Sequence, residues 1–359
     1  MLLKKLNALP YGYWLVAACC LAAVLRIWLP WDEIFATGHT NFSGPDSYYQ
    51  MNIVRQVFEG TPGSGVPTFY AQILIWLSWL PAWIGTGGNV TFTSIVSIAV
   101  FIPVFFSLIT VCFVYFIGKL LHSHLTGIIA SFAVAVLPGE YFARSWLGSV
   151  DYHAIEVLLT TAMIFLLVMS ARESINKFVR VVCVLAFWML YCLYAKVWSG
   201  AIGLMPVFLM FFIGISGISL KSIKTRYFRV IIMIAGVGVI GILLYFIANI
   251  VNKFPSLILA NTGEAQPGYS DFLILLHIFI APILAIVYWH LKGKMRPAVV
   301  FWTLFMVVAA VWQRRFDYYL IIPFSLLLGF SISSLIKYMA GWNDNQPAKS
   351  IPVKVRANE

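Results

Sequence analysis

Charge is scarce in this 359-residue chain: only 10% of its residues are Asp, Glu, Lys or Arg, where a soluble globular protein carries about 25%. So little charge cannot solvate a chain in which 61% of the residues are apolar or aromatic. The shortage excludes a soluble enzyme, a disordered chain and a secreted disulfide scaffold. Acids are scarcer than bases, 13 against 24, leaving a formal net charge of +11. In a soluble protein that excess points to nucleic acid. In an apolar chain it marks cytoplasmic loops, where Lys and Arg accumulate, and no nucleic-acid partner is expected. The five cysteines (Cys19, Cys20, Cys112, Cys183 and Cys192) all lie inside apolar runs without metal-type spacing. They read as small buried hydrophobes. No internal repeat is evident, and the first apolar run, 11–30, is too long for the core of a cleavable signal.

What is abundant is apolar sequence of membrane-crossing length. The mean hydropathy is +0.90. At about 20 apolar residues per crossing, ten runs predict an all-α polytopic membrane protein with long outer loops. They lie at 11–30, 94–118, 125–139, 155–170, 179–196, 200–218, 228–250, 271–290, 297–312 and 318–337. An eleventh run, 69–86, is interrupted by Pro81. With Lys4 and Lys5 inside and this run not crossing, Lys119, Arg172, Lys177, Lys221, Lys292, Arg296 and Lys337 all fall in the cytoplasm. The run is therefore read as re-entrant or interfacial on the outer side, and both ends as cytoplasmic. Residues 1–340 form the transmembrane domain. Residues 341–359, with Pro347 and Pro352 and no apolar period, read as a disordered cytoplasmic tail.

The outer face of this topology collects ten of the thirteen acids, and four constellations lie on it. Gly44-Pro45-Asp46-Ser47-Tyr48-Tyr49 puts Asp46 where a helix starts, as an N-cap or a ligand. Arg144-Ser145-Trp146-Leu147-Gly148-Ser149-Val150-Asp151-Tyr152-His153 sets a carboxylate and an imidazole two residues apart, a pair that Mn²⁺ accepts and of which Mg²⁺ prefers the oxygen. Thr262-Gly263-Glu264-Ala265-Gln266-Pro267 places Glu264 in an irregular loop, as a ligand or as a solvated acid. Gln313-Arg314-Arg315-Phe316-Asp317-Tyr318-Tyr319 sets two guanidiniums at membrane depth, suited to phosphate oxygens or to pairing with Asp317. Carboxylates, an imidazole and arginines on one face suit a lipid-anchored phosphate substrate, with a metal as Lewis acid.

These four segments resemble the motifs of the oligosaccharyltransferase catalytic-subunit family, especially its archaeal and bacterial single-subunit members, which are glycosyltransferases of the GT-C class. The resemblance covers about residues 10–337, and Arg144 to His153 is its most specific part. It implies a GT-C-like bundle in a cell (plasma or inner) membrane, with its active site outside. That site would move glycan from a polyprenyl phosphate or pyrophosphate donor onto asparagine, with inversion at the anomeric carbon. It implies that Asp46, Asp151, His153 and Glu264 bind Mn²⁺ or Mg²⁺ and that Asp46 and Glu264 also orient the acceptor amide. It further implies that Arg315, supported by Arg314 or Arg144, binds the donor phosphate. The family's Trp-Trp-Asp-Tyr-Gly motif, which reads the acceptor's hydroxyl, occurs nowhere in the sequence. The acceptor is then a protein met through an accessory subunit, a protein bound weakly, or another molecule. A transporter of lipid-linked glycans and an inactive scaffold are the alternatives that the residues leave open.

Overall fold

The computed structural model describes residues 10–36, 38–61, 63, 69–172, 174–205, 208, 280, 298–312 and 316–339. All regular elements among them are helical. They are α1 (Tyr11–Trp28), α2 (Trp31–Phe35), α3 (Pro45–Phe58), α4 (Phe69–Gly85), α5 (Phe92–Ala99), α6 (Ile102–Leu121), α7 (His124–Val136), α8 (Glu140–Arg144), α9 (His153–Ser170) and α10 (Lys177–Val197). A 3-10 turn, Ser199–Leu204, follows, and then α11 (Ala298–Trp312) and α12 (Asp317–Met339). Five segments of the described chain are long and apolar enough to cross a membrane: α1, the α5–α6 stretch, α9, α10 and α12. The run at 228–250, that at 271–290 apart from residue 280, most of 200–218, and the tail lie outside the described residues.

The helix ends follow from local chemistry. The Ser123 hydroxyl accepts the Thr126 N–H at 3.2 Å and so starts α7. Asn176 does the same for α10 through the Phe178 N–H at 3.0 Å, each satisfying a donor that a helix start leaves unpaired. The expected single span at 94–118 is instead divided into α5 and α6 at Val100–Phe101. Pro103 explains the division, because it has no N–H for the Ala99 carbonyl and its ring collides with that carbonyl in a continuous helix. The division leaves the Val100 carbonyl pointing out of the helical ladder, a point the site exploits.

Burial separates centre from rim. Of the apolar windows of α9 and α12, 78% and 72% are buried, against 17% for α1 and for α10. The two central helices pack with α6 and α7, and glycine sets the spacing. A Cβ on Gly118 of α6 would stand 2.8 Å from the Gly127 Cα of α7, and one on Gly329 of α12 would stand 2.6 Å from the Thr126 carbonyl oxygen. Small residues bring backbones together where lipid supplies no hydrophobic drive. Run 69–86 folds as one helix of 17 residues with Pro81 inside it, and it exposes Trp76, Trp79 and Trp83. Such a row of indoles suits a membrane interface.

Candidate active site

The two motif loops are fastened to each other before either reaches a ligand. The Ser43 N–H donates to the Gly148 carbonyl at 2.9 Å, and the Trp146 indole N–H to the Ser43 hydroxyl at 3.0 Å. Gly148 stands at φ +81, a left-handed conformation that suits glycine. A Cβ there would also strike the Ile34 side chain. Its N–H donates to the Val100 carbonyl at 3.0 Å, the oxygen freed by the division between α5 and α6.

Arg26, a fully buried side chain, secures the same loop. Its Nε–H donates to the Ser145 hydroxyl at 2.9 Å. Its Nη1 and Nη2 donate to the Ala135 and Val134 carbonyls at 2.8 and 3.1 Å. These carbonyls close α7, where a cation also meets the negative end of the helix dipole. The guanidinium lies 4.7 Å from the Phe142 ring centre, a cation–π contact. The Arg26 carbonyl in turn accepts the Leu147 N–H at 2.9 Å.

On this base, carboxylates from both loops meet at Arg144. Its Nη1 donates to Asp151 Oδ2 at 2.9 Å and to Asp46 Oδ2 at 3.3 Å, and its Nε lies 3.5 Å from Glu140 Oε2. Asp151 is buried, whereas the Asp46 side chain is 59% exposed. Asp46 is not an N-cap. Gly44, at φ 80, holds that position and no side chain caps α3, so the Asp46 carboxylate is left to face Arg144. Asp151 stands one residue before Tyr152, the N-cap of α9, which makes no side-chain cap bond; its Oδ1 accepts the His153 N–H, the first of the helix, at 2.9 Å. The buried Tyr70 hydroxyl donates to the Asp151 backbone carbonyl. Asp317 Oδ2 accepts the Glu140 N–H at 3.2 Å and ties the start of α12 to α8. Burial lifts the neighbouring Tyr141 phenol above its ordinary range, with the Arg26 charge opposing the shift.

His153 does not turn toward this cluster through Nδ1. That atom is 3.2 Å from Glu156 Oε2, with both side chains buried. The Glu156 oxygen also accepts the Tyr318 hydroxyl at 2.9 Å and the Tyr319 hydroxyl at 3.2 Å. Tyr194 lies 2.8 Å from Tyr319, hydroxyl to hydroxyl. Neither Arg26 nor this carboxylate–tyrosine network figures among the sequence-derived site residues. The available signal for Glu156 was an acid one turn after His153 inside an apolar helix, a costly placement that needs a reason.

Glu264, Gln313, Arg314 and Arg315 lie outside the described residues. Among the described residues no group of three His, Cys, Asp or Glu side chains is arranged to hold a metal. The Asp46–Asp151 pair nevertheless suits a hard cation, since two carboxylate oxygens already share one positively charged nitrogen, that of Arg144. Arg144, expected beside a donor phosphate, is here held by three carboxylates.

The bundle is the GT-C-like transmembrane fold. It aligns with the oligosaccharyltransferase of Archaeoglobus fulgidus in its apo form at a TM-score of 0.68 and 15% identity, covering 92% of this chain and 51% of that one. The same enzyme in complex with Zn and sulfate gives 0.62 and 17%, with coverage of 92% and 50%. ArnT from Cupriavidus metallidurans gives 0.55 and 13%, with coverage of 89% and 60%. A curated relative, dolichyl-phosphooligosaccharide-protein glycotransferase 3 of A. fulgidus, is 26% identical over 158 residues, which are 39% of this chain and 18% of that protein. The model of the family "Oligosaccharyl transferase STT3, N-terminal" matches residues 22–337, and the chain belongs to that family. It spans about half the length of the solved oligosaccharyltransferase.

Proposed function

We propose that this chain is the membrane-embedded catalytic part of a glycosyltransferase that moves glycan from a polyprenyl-(pyro)phosphate carrier onto protein asparagine at the outer face of a cell membrane. The observation that carries the reading is the meeting of Asp46 and Asp151, from separate loops, at one cationic nitrogen. Family membership and the relative's name, which specifies a dolichyl-phospho-oligosaccharide donor and a protein acceptor, support it. So does the solution of a fold neighbour with Zn and sulfate, a divalent metal and a phosphate-like anion.

In this reading Asp46, Asp151, His153 and Glu264 hold Mn²⁺ or Mg²⁺. The ion supplies Lewis-acid stabilisation of the charge that develops on the departing phosphate. Asp46, the exposed member of the pair, accepts N–H hydrogen bonds from the acceptor amide together with Glu264 and aims its nitrogen at the anomeric carbon. Arg315 and Arg314 hold the donor phosphate by charge-assisted hydrogen bonds. Arg144 balances the carboxylates from inside the protein and keeps Asp46 and Asp151 at one spacing. A transporter would have no use for a carboxylate pair fastened this rigidly to the fold.

The test is consumption of a fluorescent polyprenyl-pyrophosphate oligosaccharide by the purified protein, with Mn²⁺ or EDTA, each with and without an Asn-x-Thr peptide. Metal-dependent transfer to the peptide is the expected result. Metal-dependent donor cleavage without peptide labelling keeps the glycosyltransferase and replaces the acceptor. Turnover in EDTA overturns the metal assignment.

A further inference from the structure

We propose that Glu156 is a positioning residue that holds His153 in its metal-binding tautomer and couples it, through Tyr318 and Tyr319, to the start of α12. The inference rests on the reading above that His153 is a metal ligand. Glu156 is fully buried in an apolar helix, where an acid is costly unless something requires it. Three groups converge on its Oε2: His153 Nδ1 at 3.2 Å, the Tyr318 hydroxyl at 2.9 Å and the Tyr319 hydroxyl at 3.2 Å. Its Oε1 is buried without a hydrogen-bond partner among the described residues. The carboxylate is therefore anchored at one oxygen only, the one that serves the histidine.

The chemistry follows from the imidazole. A carboxylate oxygen can only accept, so the proton of this contact sits on Nδ1. A neutral imidazole with its proton on Nδ1 carries its lone pair on Nε2, and a metal-binding histidine commonly donates its other N–H to a carboxylate in this way. The i to i+3 spacing puts both residues on one face of α9. The ring lies 4.8 Å from that of Tyr318, which limits its rotation. Tyr318 and Tyr319 are the second and third residues of α12, directly after the segment bearing Arg314 and Arg315.

The test measures Mn²⁺ binding to the full-length purified protein in detergent, by the loss of the free-ion electron paramagnetic resonance signal and without turnover. Glu156→Ala is expected to weaken binding on the order of 10- to 100-fold. Glu156→Gln, whose amide oxygen still accepts the Nδ1 proton, should restore much of that loss and also serves as the variant that keeps the packing. In a His153→Ala background, Glu156→Ala should cause no further loss, because its effect passes through the imidazole. Unchanged affinity in Glu156→Ala, Gln as damaging as Ala, or a further loss in the His153→Ala background would each overturn the proposal while leaving the metal reading in place. A wild-type protein that does not bind Mn²⁺ would instead remove the metal reading, and this inference with it.

Discussion

At the scale of single residues, Asp151 carries two duties that substitution can separate. One oxygen accepts the first N–H of α9 and the other meets Arg144. Asp151→Asn keeps an oxygen for the His153 N–H but sets its amide N–H against the Arg144 guanidinium, so it should lower the melting temperature and fail in glycan transfer. Asp151→Ala should lose transfer as well and, with the His153 N–H bond gone, about 1 kcal/mol more of stability, seen as a still lower midpoint in thermal scanning fluorimetry. An Asn variant with full activity would remove Asp151 from the metal set. Arg144 poses a different question. Its fork addresses three carboxylates, and a lysine, a single point charge, cannot reproduce that geometry. Arg144→Lys should lower turnover by about tenfold, or ~1.4 kcal/mol of transition-state stabilisation, and initial rates at saturating donor measure it.

At the scale of elements, the loop 145–152 depends on irregularities elsewhere. Pro103 divides an apolar stretch that would otherwise be one helix, and the freed Val100 carbonyl receives the Gly148 N–H. Gly148→Ala should destabilise the protein by roughly 1–3 kcal/mol, through a left-handed backbone that alanine resists and a methyl driven into Ile34. Arg26 supports the same loop, and its loss strands the Ala135 and Val134 carbonyls in a buried place. Arg26→Met, similar in length and apolar, should therefore cost on the order of 2–4 kcal/mol, with transfer lost in parallel. Near-native stability in Arg26→Met would show that water reaches these carbonyls. The apolar runs made most of these helices legible: 155–170 became His153–Ser170, and 179–196 became Lys177–Val197. The division at Val100–Phe101 was also written in the sequence, at Pro103, but run length alone concealed it. The grip of Arg26 was not legible, since it joins residues 119 positions apart and only packing brings them together. The same holds for Asp46: a Gly-Pro-Asp start suggests a cap, yet which residue caps depends on where the chain turns, and it turns at Gly44.

At the scale of the whole molecule, polarity is divided between the two ends of the bundle. Asp46, Glu140, Asp151 and Asp317 gather at one end. At the other, the Thr126 hydroxyl lies 2.6 Å from His122 Nδ1 and 2.7 Å from the Ser333 hydroxyl, with Lys119 and Lys337 in the last turns of α6 and α12. The carboxylate end carries acids in excess and the opposite end carries lysines, and the proposed outward orientation of the carboxylates rests on that asymmetry through the bias of cytoplasmic loops toward positive charge. The donor reading depends on that orientation, because the glycan and its acceptor must meet on the side the carboxylates face. Orientation is testable without any substrate. In a cysteine-free background, a cysteine placed at Tyr48, which is 50% exposed in α3, should react with a membrane-impermeant maleimide in intact cells. A cysteine placed at Lys119 should react only after permeabilisation, because α6 runs from the carboxylate end to the opposite one. The two sites bracket α4 and the α5–α6 stretch, so their labelling must differ if that stretch crosses the membrane and α4 lies at the interface. Reactivity of both in intact cells would mean that α5–α6 does not cross or that α4 crosses as well. A reversed pattern would turn the carboxylates to the cytoplasm and require a donor presented from inside the cell.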